Sequence, residues 1–586
     1  MARLLADLTD LLHYFRINRL PLGVPRVQMA LTEAALAAPE PLLEPMAFDP
    51  ASGRFRALPG QELLALLATA RRGADIEAPD WVAARATLAT ALEAAPEIGF
   101  AAGDRVFTPG LPFLVPGQMH RLRELRQAHG VALCALFHDA IPLVVPEHCT
   151  PELTSGFADN LLSICLQTDR VVATSACAAR DFREWQRRLL PELDIPVVAM
   201  PLDAPLPPVG GEGEEAPPRP EALADGRPYV LCVSTLESRK NHVLLLHAWL
   251  TLLRRHGEHA LPRLVLVGRQ GFGADAALRL LEHAPELRRN VVWLRDVSDA
   301  QLARLYKDCL FTIFNSFYEG WGLPVTEALS HGKLVIAPDH SSLREAGGTA
   351  ALYFTPQSEP ELAELAWGLI RDPARRAALE AALPGRVRLR GWREVVEGLA
   401  RELAAPLVAL PGPFARAGAI TGRRIGFEIQ PAMPPAAMRA AHVGNALILE
   451  GDGWSIPEAY GVWLTKGRAR LRLPALERSG MRLFLEVSGP PVAAETGLRL
   501  HLPDGTTGPW LSLRLAAQER RHLEMTLPAG PAGVVVVEFD TSGARPIPDD
   551  DRLFSLMLHG LMLIADHDLQ RTYEYLGDRL HLSRLG

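Results

Sequence analysis

Two carboxylates stand on either side of a short turn in FYEGWGLPVTEALSHGKLVIA, residues 317–337. Glu319 precedes the turn and Glu327 follows it, inside a stretch that starts like a helix. Two solvated acids on a surface helix are the commonest explanation of such a pair. The alternative is that both hold one ligand, because a carboxylate accepts hydrogen bonds from two vicinal hydroxyls such as those of a ribose or hexose.

The turn between the two acids is suited to a phosphate group. Pro324 fits the first helical turn, where its missing N–H is not needed. Gly320 and Gly322 remove side chains where a helix N-terminus presents free amides, and this combination accommodates phosphate oxygens. The segment therefore suits a nucleoside diphosphate sugar held between Glu319 and Glu327, and two surface acids remain the alternative.

A second motif, STLESRKNH at residues 234–242, follows the apolar run YVLCVS and precedes a helical stretch. Arg239 and Lys240 supply two cations that could neutralise a diphosphate leaving group. Two exposed bases on a loop would explain most such pairs. Here the cations share the expected ligand edge with Glu319 and Glu327, which favours the binding function.

Short apolar runs alternate with helical stretches through the middle of the chain. The runs are YVLCVS (229–234), RLVLVG (263–268), VVWL (291–294), LFTIF (310–314) and KLVIA (333–337). Strands that alternate with helices predict a doubly wound parallel sheet. Ligands bind such sheets beyond the carboxyl ends of the strands, where both motifs fall.

Composition shifts divide the chain into three blocks. A Pro- and Gly-rich stretch at 205–220 predicts an exposed linker, and a weaker joint spans 405–425. We expect Rossmann-like domains over 1–205 and 221–404, facing each other across a cleft. Residues 425–586 contain regularly spaced runs that alternate apolar and polar side chains, which predicts an antiparallel β-sandwich.

Composition excludes several classes of protein. A chain of 586 residues with 48% apolar and 22% charged residues is typical of a globular protein with several domains. Its net charge of −7 argues against nucleic acid as the main partner. The six cysteines lack CxxC spacing, and no apolar run is long enough to span a bilayer. We expect a cytoplasmic protein without a metal site, and peripheral contact with the inner membrane stays open.

Residues 229–345 resemble the donor-binding domain of the retaining glycosyltransferases of family 4, which have the two-domain GT-B fold. The resemblance rests on the two glutamates in EGWGLPVTEA and on SRKN after a strand, where Ser238 replaces the family's proline. LRDVSDAQLARLY, residues 294–306, is similar to the family segment that contacts the nucleobase near Val297.

The resemblance implies a role for each donor-side residue. Arg239 and Lys240 would hold the diphosphate, Glu319 the hexose and Glu327 the ribose. Gly320 and Gly322 would make room for the donor, and Gly322 and Leu323 would offer backbone amides. No metal or other cofactor is expected, since the cations take that role.

The first block resembles the acceptor domain of the same family more weakly. The resemblance places Gly23 near the diphosphate, His138 near the reacting carbon and Ser175 at the closing edge of the cleft. For His138, a structural histidine bound to backbone remains the alternative. Residues 389–404 resemble the terminal helix that packs back across the first domain.

The implied function is transfer of a hexose, with retention, to a glycan or lipid-linked glycan in bacterial surface polysaccharide synthesis. Mannose from GDP-mannose is the donor that the overall resemblance favours. Two alternatives remain: another enzyme of this fold, such as a UDP-sugar-dependent transferase or a nucleotide-sugar epimerase, and a non-catalytic glycan-binding protein. For the β-sandwich, a sugar-stacking platform of Trp454, Glu458, Tyr460 and Trp463 competes with a docking or oligomerisation role.

Overall fold

The computed structural model describes residues 3–39, 41–49, 52–115, 117–191, 193–202, 219–413, 421–428, 441–455, 458–475, 480–531, 533–547 and 550–579. Residues 205–218 of the predicted linker and 414–420 of the second joint lie outside this description. Along the described residues, no helix has both the length and the apolar character to cross a bilayer.

The first domain is built on a sheet of seven strands with order β3-β2-β1-β4-β5-β6-β7. The strands are β1 Leu4–Asp7, β2 Glu44–Asp49, β3 Arg54–Ala57, β4 Arg105–Thr108, β5 Ala132–Phe137, β6 Arg170–Ala173 and β7 Val197–Ala199. The helices are α1 Thr9–Tyr14, α2 Val24–Leu36, α3 Gly60–Ala70, α4 Pro79–Ala94, α5 Gln118–His129, α6 Ile141–Val144, α7 Pro151–Gln167 and α8 Ala176–Leu189. All pairs are parallel except the β2–β3 hairpin, which the sequence did not predict.

The second domain has a six-stranded parallel sheet with order β10-β9-β8-β11-β12-β13. Its strands are β8 Tyr229–Val233, β9 Arg263–Val267, β10 Val291–Leu294, β11 Thr312–Ile313, β12 Val335–Pro338 and β13 Leu352–Phe354. Its helices are α9 His242–His256, α10 Asp275–His283, α11 Pro285–Asn290, α12 Asp299–Asp308, α13 Leu323–Ser330, α14 Leu343–Gly347, α15 Glu359–Arg371, α16 Pro373–Ala381 and α17 Trp392–Ala404. Apolar strands such as YVLCV are buried because helices cover both faces of a parallel sheet.

Helix α17 leaves the second domain and packs against α2, β1 and β6 of the first. Arg105 donates to the carbonyl oxygens of Leu403 and Ala405, at the end of this helix. Arg170 donates to those of Glu402 and Pro406. The carbonyls left unpaired at a helix C-terminus therefore find cationic partners in the first domain.

Two antiparallel sheets form the third domain, and the predicted β-sandwich is confirmed. One has the order β14-β24-β18-β21, with β16 and β23 also paired to β24, and the other has the order β15-β17-β22-β19-β20. The strands are β14 Arg424–Gly426, β15 Leu449–Glu450, β16 Val462–Thr465, β17 Ala469–Ala475, β18 Met481–Ser488, β19 Ala494–His501, β20 Leu511–Leu515, β21 Arg520–Leu527, β22 Gly533–Asp540, β23 Arg545–Ile547 and β24 Asp550–Ala565. A last helix spans Leu569–Arg579.

The aromatic residues of the sandwich do not form the suggested sugar-stacking platform. Trp454 packs edge-on against Phe539, with ring centroids 5.5 Å apart. Trp463 packs in the same way against Phe554 at 5.0 Å. Only Tyr460 among the three aromatics of that proposal is well exposed, at 65%. Both tryptophan rings are only partly exposed and lie against phenylalanines, Trp463 on the face of β16 opposite the buried Val462 and Leu464.

The sandwich docks on the first domain through a buried arginine. Arg123, on α5, donates to the carbonyl oxygens of Ala446, Leu447 and Leu449 at 2.8–3.1 Å. The residue is 1% exposed. Apolar residues of α7 and of the sandwich also share one hydrophobic core. The two domains are therefore joined by packing as well as by polar contacts, which fits a docking role better than a mobile appendage.

We expect Arg123→Met to destabilise the protein by about 3 kcal/mol, because three buried carbonyl oxygens lose their donors. The measurement is the midpoint of urea unfolding. Arg188→Met is the matched control, since Arg188 forms an exposed pair with Glu184 and should change stability by less than about 0.5 kcal/mol. Equal midpoints for the two variants would contradict the docking role.

Three buried histidines make stability depend on pH. Burial lowers the pKa of His120, His138 and His242 to about 4. As pH falls below about 6.5, these histidines gain protons in the unfolded chain before they do so in the folded protein. The free energy of unfolding therefore decreases as pH falls. On lowering the pH from 7.5 to 5.5, we expect each of these histidines to reduce the free energy of unfolding by about 1 kcal/mol.

The unfolding midpoint in urea at the two pH values tests this expectation. His138→Gln should remove about 1 kcal/mol of this loss of stability. The control is His283→Gln, at a position whose side chain is 74% exposed, and it should keep all of it.

Candidate active site between the two Rossmann-like domains

The strand order of the second sheet reverses between β8 and β11, its first and fourth strands. The loops that follow these two strands diverge and leave a crevice at the carboxyl edge, which is where doubly wound sheets bind ligands. The first loop carries Arg239 and Lys240, and the second carries Glu319. The sequence-predicted motifs thus meet at one point of the fold.

Backbone contacts tie the two loops together. Ser238–Lys240 forms a single 3-10 turn, and Asn241 in the left-handed region (φ 53°) lets the chain enter α9. The Nδ2 of Asn315 donates to the Asn241 carbonyl at 3.0 Å. The Phe317 amide donates to the Arg239 carbonyl at 2.8 Å. These contacts fix the cations relative to the segment that bears Glu319.

One carboxylate oxygen organises both cations. The Oε1 of Glu319 accepts from Nη1 of Arg239 at 2.9 Å and also from Nζ of Lys240. On its other side, Arg239 donates to Glu237 at 2.9 Å. Burial alone would raise the pKa of Glu319, but the charges of Arg239 and Lys240 hold it at about 2. The site therefore contains a fully ionised acid and two paired cations at neutral pH.

Glu327 lies deeper on α13 and is 3% exposed. It accepts a hydrogen bond from the Tyr306 hydroxyl at 2.8 Å. The guanidinium group of Arg26, on α2 of the first domain, lies 3.6 Å from the Glu327 carboxylate and 3.3 Å from the Asp299 carboxylate. Glu327 is thus already held by a phenol and by a cation from across the cleft.

The two glycines of the turn have separate structural reasons. A Cβ on Gly320 would lie 2.0 Å from the His138 carbonyl oxygen, so only glycine permits this approach of the two domains. Gly322 precedes α13 with φ of 109°, a value that L side chains rarely adopt. The interpretation of Gly320 as a residue that only makes room for phosphate therefore missed its contact with the first domain.

A cavity of about 390 Å³ opens between the domains at this point. Nine of the predicted site residues line it: Gly23, His138, Arg239, Lys240, Glu319, Gly320, Gly322, Leu323 and Glu327. Two others, both in the described part of the chain, lie outside this lining. Val297 packs against the hydrophobic core of the second domain. Ser175 is fully buried and its hydroxyl accepts from the Ala178 amide as the N-cap of α8.

His138 is a neutral histidine at the wall of the cavity. Its Nε2 lies 2.8 Å from the Pro109 carbonyl oxygen. Because a carbonyl only accepts, Nε2 carries the proton and Nδ1 is left as an acceptor. Burial lowers the pKa of His138 to about 4. The backbone-bound alternative is present in the structure, together with the position at the cleft.

Polar contacts across the cleft hold the two domains together. The amides of Ala176 and Cys177, at the start of α8, donate to the Glu345 carboxylate at 2.7 Å each. The Tyr318 hydroxyl donates to Asp181 at 2.9 Å. A negative charge at a helix N-terminus is stabilising. These contacts join α8 of the first domain to the β11 loop and to α14 of the second domain.

Sequence reasoning missed three charged residues of this region: Arg26, Glu237 and Glu345. Glu237 stands two positions before Arg239, so its pairing had a local signal in ESRKN. Arg26 and Glu345 act on the opposite domain, and nothing in the sequence predicts which residues meet there. They were found only from the contact between domains.

Part of the chain is similar to known glycosyltransferases. Residues 214–383 match the profile of the family described as glycosyl transferases group 1. The serotype-specific mannosyltransferase WbdA of Escherichia coli is 30% identical over 262 residues, which are 43% of this chain and 31% of that protein. The D-inositol 3-phosphate glycosyltransferase of Nocardia farcinica (strain IFM 10152) is 30% identical over 44% of this chain and 57% of its own length.

Among solved structures, the sucrose-phosphate synthase of Thermosynechococcus elongatus is 17% identical with a TM-score of 0.46, over 69% of this chain and 98% of that one. The chain spans about a third of the length of the mannosyltransferases it matches first. The family match covers the β8 and β11 loops and both glutamates. Residues 214–383 are therefore similar to the glycosyl transferases group 1 family.

Proposed function

We propose that the protein transfers a hexose, with retention, from a nucleotide sugar to a hydroxyl of a glycan or lipid-linked glycan. The observation that carries the proposal is the cluster of Arg239, Lys240 and Glu319 at the strand-order reversal, inside a cavity closed by the first domain. Two cations on the carboxyl edge match a diphosphate. The adjoining acid matches the hydroxyls of the sugar attached to it.

Each residue has a role in this proposal. Arg239 and Lys240 hold the diphosphate, Glu319 accepts from the hexose, and Glu327 accepts from the ribose. The amides of Gly322 and Leu323, at the N-terminus of α13, add donors for phosphate oxygens. Gly23 faces the diphosphate from the first domain, while Val297 near the base and Ser175 near the cleft edge would need movement to reach the donor.

The reaction that suits this geometry is attack by the acceptor hydroxyl on the face from which the diphosphate leaves. The departing phosphate oxygen takes the proton of the acceptor, so no protein base is required. Negative charge grows on the diphosphate as the bond breaks, and Arg239 and Lys240 stabilise it at fixed positions. The two cations do this work without a metal ion in our proposal.

For the donor we propose GDP-mannose. The support is that two relatives from Escherichia coli bear the names serotype-specific mannosyltransferase WbdA and O-antigen chain mannosyltransferase B, the latter 32% identical over 175 residues. The same names support a place in bacterial surface polysaccharide synthesis. Thermal unfolding with GDP, UDP or ADP tests the base: a large shift with UDP alone would replace this donor.

We expect Lys240→Ala and Glu319→Ala each to lower transfer by about 100-fold or more, because each removes a charge that the reacting donor needs. The measurement is release of GDP from GDP-mannose with the folded state checked by circular dichroism. Lys307→Ala and Glu282→Ala, both at exposed positions, are the controls. Transfer near that of the unmodified protein in both site variants would overturn the assignment.

Glu319→Gln separates the two tasks of the acid. In the empty site Glu319 competes with a diphosphate for Arg239 and Lys240, so the neutral amide should strengthen GDP binding by about tenfold. Transfer should fall nevertheless, because the hexose loses its charged acceptor. Calorimetric titration with GDP measures the first effect. Weaker GDP binding in this variant would show that Glu319 does not oppose the diphosphate.

A further inference from the structure

A second cavity, of about 250 Å³, adjoins the first on the side of the first domain. The two share His138, Asp139, Glu237 and Arg239 in their linings. A molecule in the second cavity therefore meets the donor beside Arg239, proposed to hold the diphosphate, and His138, which the resemblance places near the reacting carbon. If the proposed transfer is right, the second cavity is placed to receive part of the acceptor.

The inner part of this cavity is apolar. Helix α7 lines it with Leu153, Phe157, Asn160 and Ile164, whose spacing of four, three and four places them on one helix face. Phe157 and Ile164 are each 5% exposed. Phe137, at the end of β5, lies against Phe157 with ring centroids 6.4 Å apart. The cavity thus runs from a charged mouth to a floor of aromatic and aliphatic side chains.

One polar group in the cavity is buried and unsatisfied. Asn160 is 4% exposed, and its Oδ1 has no hydrogen-bond partner among the described residues. Such a group carries a desolvation cost unless a ligand or water meets it. It can accept from an N–H or O–H group of a ligand.

Several other polar groups of the lining are already engaged. Asp139 accepts from the Ile141 amide at 2.9 Å, and Thr150 accepts from the Leu153 amide at 3.2 Å. His138 donates to Pro109. A hexose ring placed wholly inside would bury several hydroxyls with few open acceptors among the described residues, such as Oδ1 of Asn160 and Nδ1 of His138, which is unfavourable. The floor therefore suits a group that is mostly apolar and carries one donor.

We propose that this cavity receives an acylamino substituent, such as an acetamido group, on the acceptor sugar. Its N–H donates to Oδ1 of Asn160, and its methyl group packs against Phe157 and Ile164. The sugar ring stays at the mouth, where its reacting hydroxyl faces the donor beside His138 and Asp139. This inference rests on the proposed function and adds the class of acceptor to it.

The test compares two probes that differ only in this substituent: methyl 2-acetamido-2-deoxy-β-D-glucopyranoside and methyl β-D-glucopyranoside. Ligand-observed NMR titrations in the presence of GDP measure both affinities. We expect the acetamido glycoside to bind at least about tenfold more tightly. Equal affinities, or binding of neither glycoside, would overturn the proposal.

Variants assign the preference to the cavity. Asn160→Leu keeps a side chain of similar size without the hydrogen-bond acceptor. It should lower the affinity for the acetamido glycoside to that for methyl β-D-glucopyranoside. Leu153→Trp narrows the mouth at a position that is 39% exposed and should weaken the acetamido glycoside alone. Leu114→Trp, at a residue that is 51% exposed and outside the lining, should change neither affinity. A preference that survives Asn160→Leu would place the acetamido group elsewhere.

GDP titration of the same samples separates this inference from the proposed function. GDP bound equally by all four proteins shows that the variants are folded and that the donor site is intact. An acetamido preference without any binding of GDP, UDP or ADP would refute the donor site and leave the cavity assignment standing. Nucleotide binding without an acetamido preference would refute the cavity assignment and leave the donor site standing.

Discussion

The site depends on one carboxylate oxygen that holds two neighbouring, largely buried cations. Arg239, Lys240 and Glu319 have side chains that are 17%, 12% and 10% exposed. Two positive charges so close and so poorly solvated repel each other strongly unless an anion lies between them. Glu319 supplies that anion in the empty protein. A diphosphate would supply a second, so the cluster is organised before the donor arrives.

The same backbone segment also sets the distance between the domains. Gly320 follows Glu319 directly and touches the carbonyl oxygen of His138. The Thr174 hydroxyl lies within hydrogen-bonding distance of the carbonyl oxygens of both His138 and Gly320. A shift of the first domain therefore moves the residue next to the acid that orders the cations. Closure of the cleft and arrangement of the charges are parts of one contact, which is how such a site can exclude water before transfer.

Much of the fold follows from apolar periodicity, and the exceptions have physical causes. Runs such as YVLCVS were predicted because a strand buried on both faces is continuously apolar. The strands of the sandwich were predicted because burial on one face makes apolar and polar residues alternate. The strand Leu4–Asp7 and the β2–β3 hairpin were not predicted. The former is four residues long and leads at once into α1, and the latter lies at an edge where polar residues are tolerated. Short elements carry too few residues for a period to show.

For the site, the sequence patterns combine a ligand requirement with a local structure at Arg239, Lys240 and the two glutamates, and the structure brings these four residues to one cavity. At Ser175 the sequence could not distinguish a ligand contact from a helix cap, because serines in these two roles look alike in sequence. Cross-domain partners such as Arg26 and Glu345 have no sequence signal at all. Their positions depend on how two sheets, each specified locally, come to face each other.

The two cavities differ in chemistry, and the wall between them explains how one reaction can use both. The donor cavity is lined by the ion cluster, and the adjoining cavity ends in Phe157 and Ile164. His138 stands between them as an uncharged imidazole whose proton is committed to Pro109. A cation there would attract the diphosphate toward the acceptor side, whereas a neutral ring does not. In the proposed reaction, the imidazole itself would add no positive charge on the acceptor side.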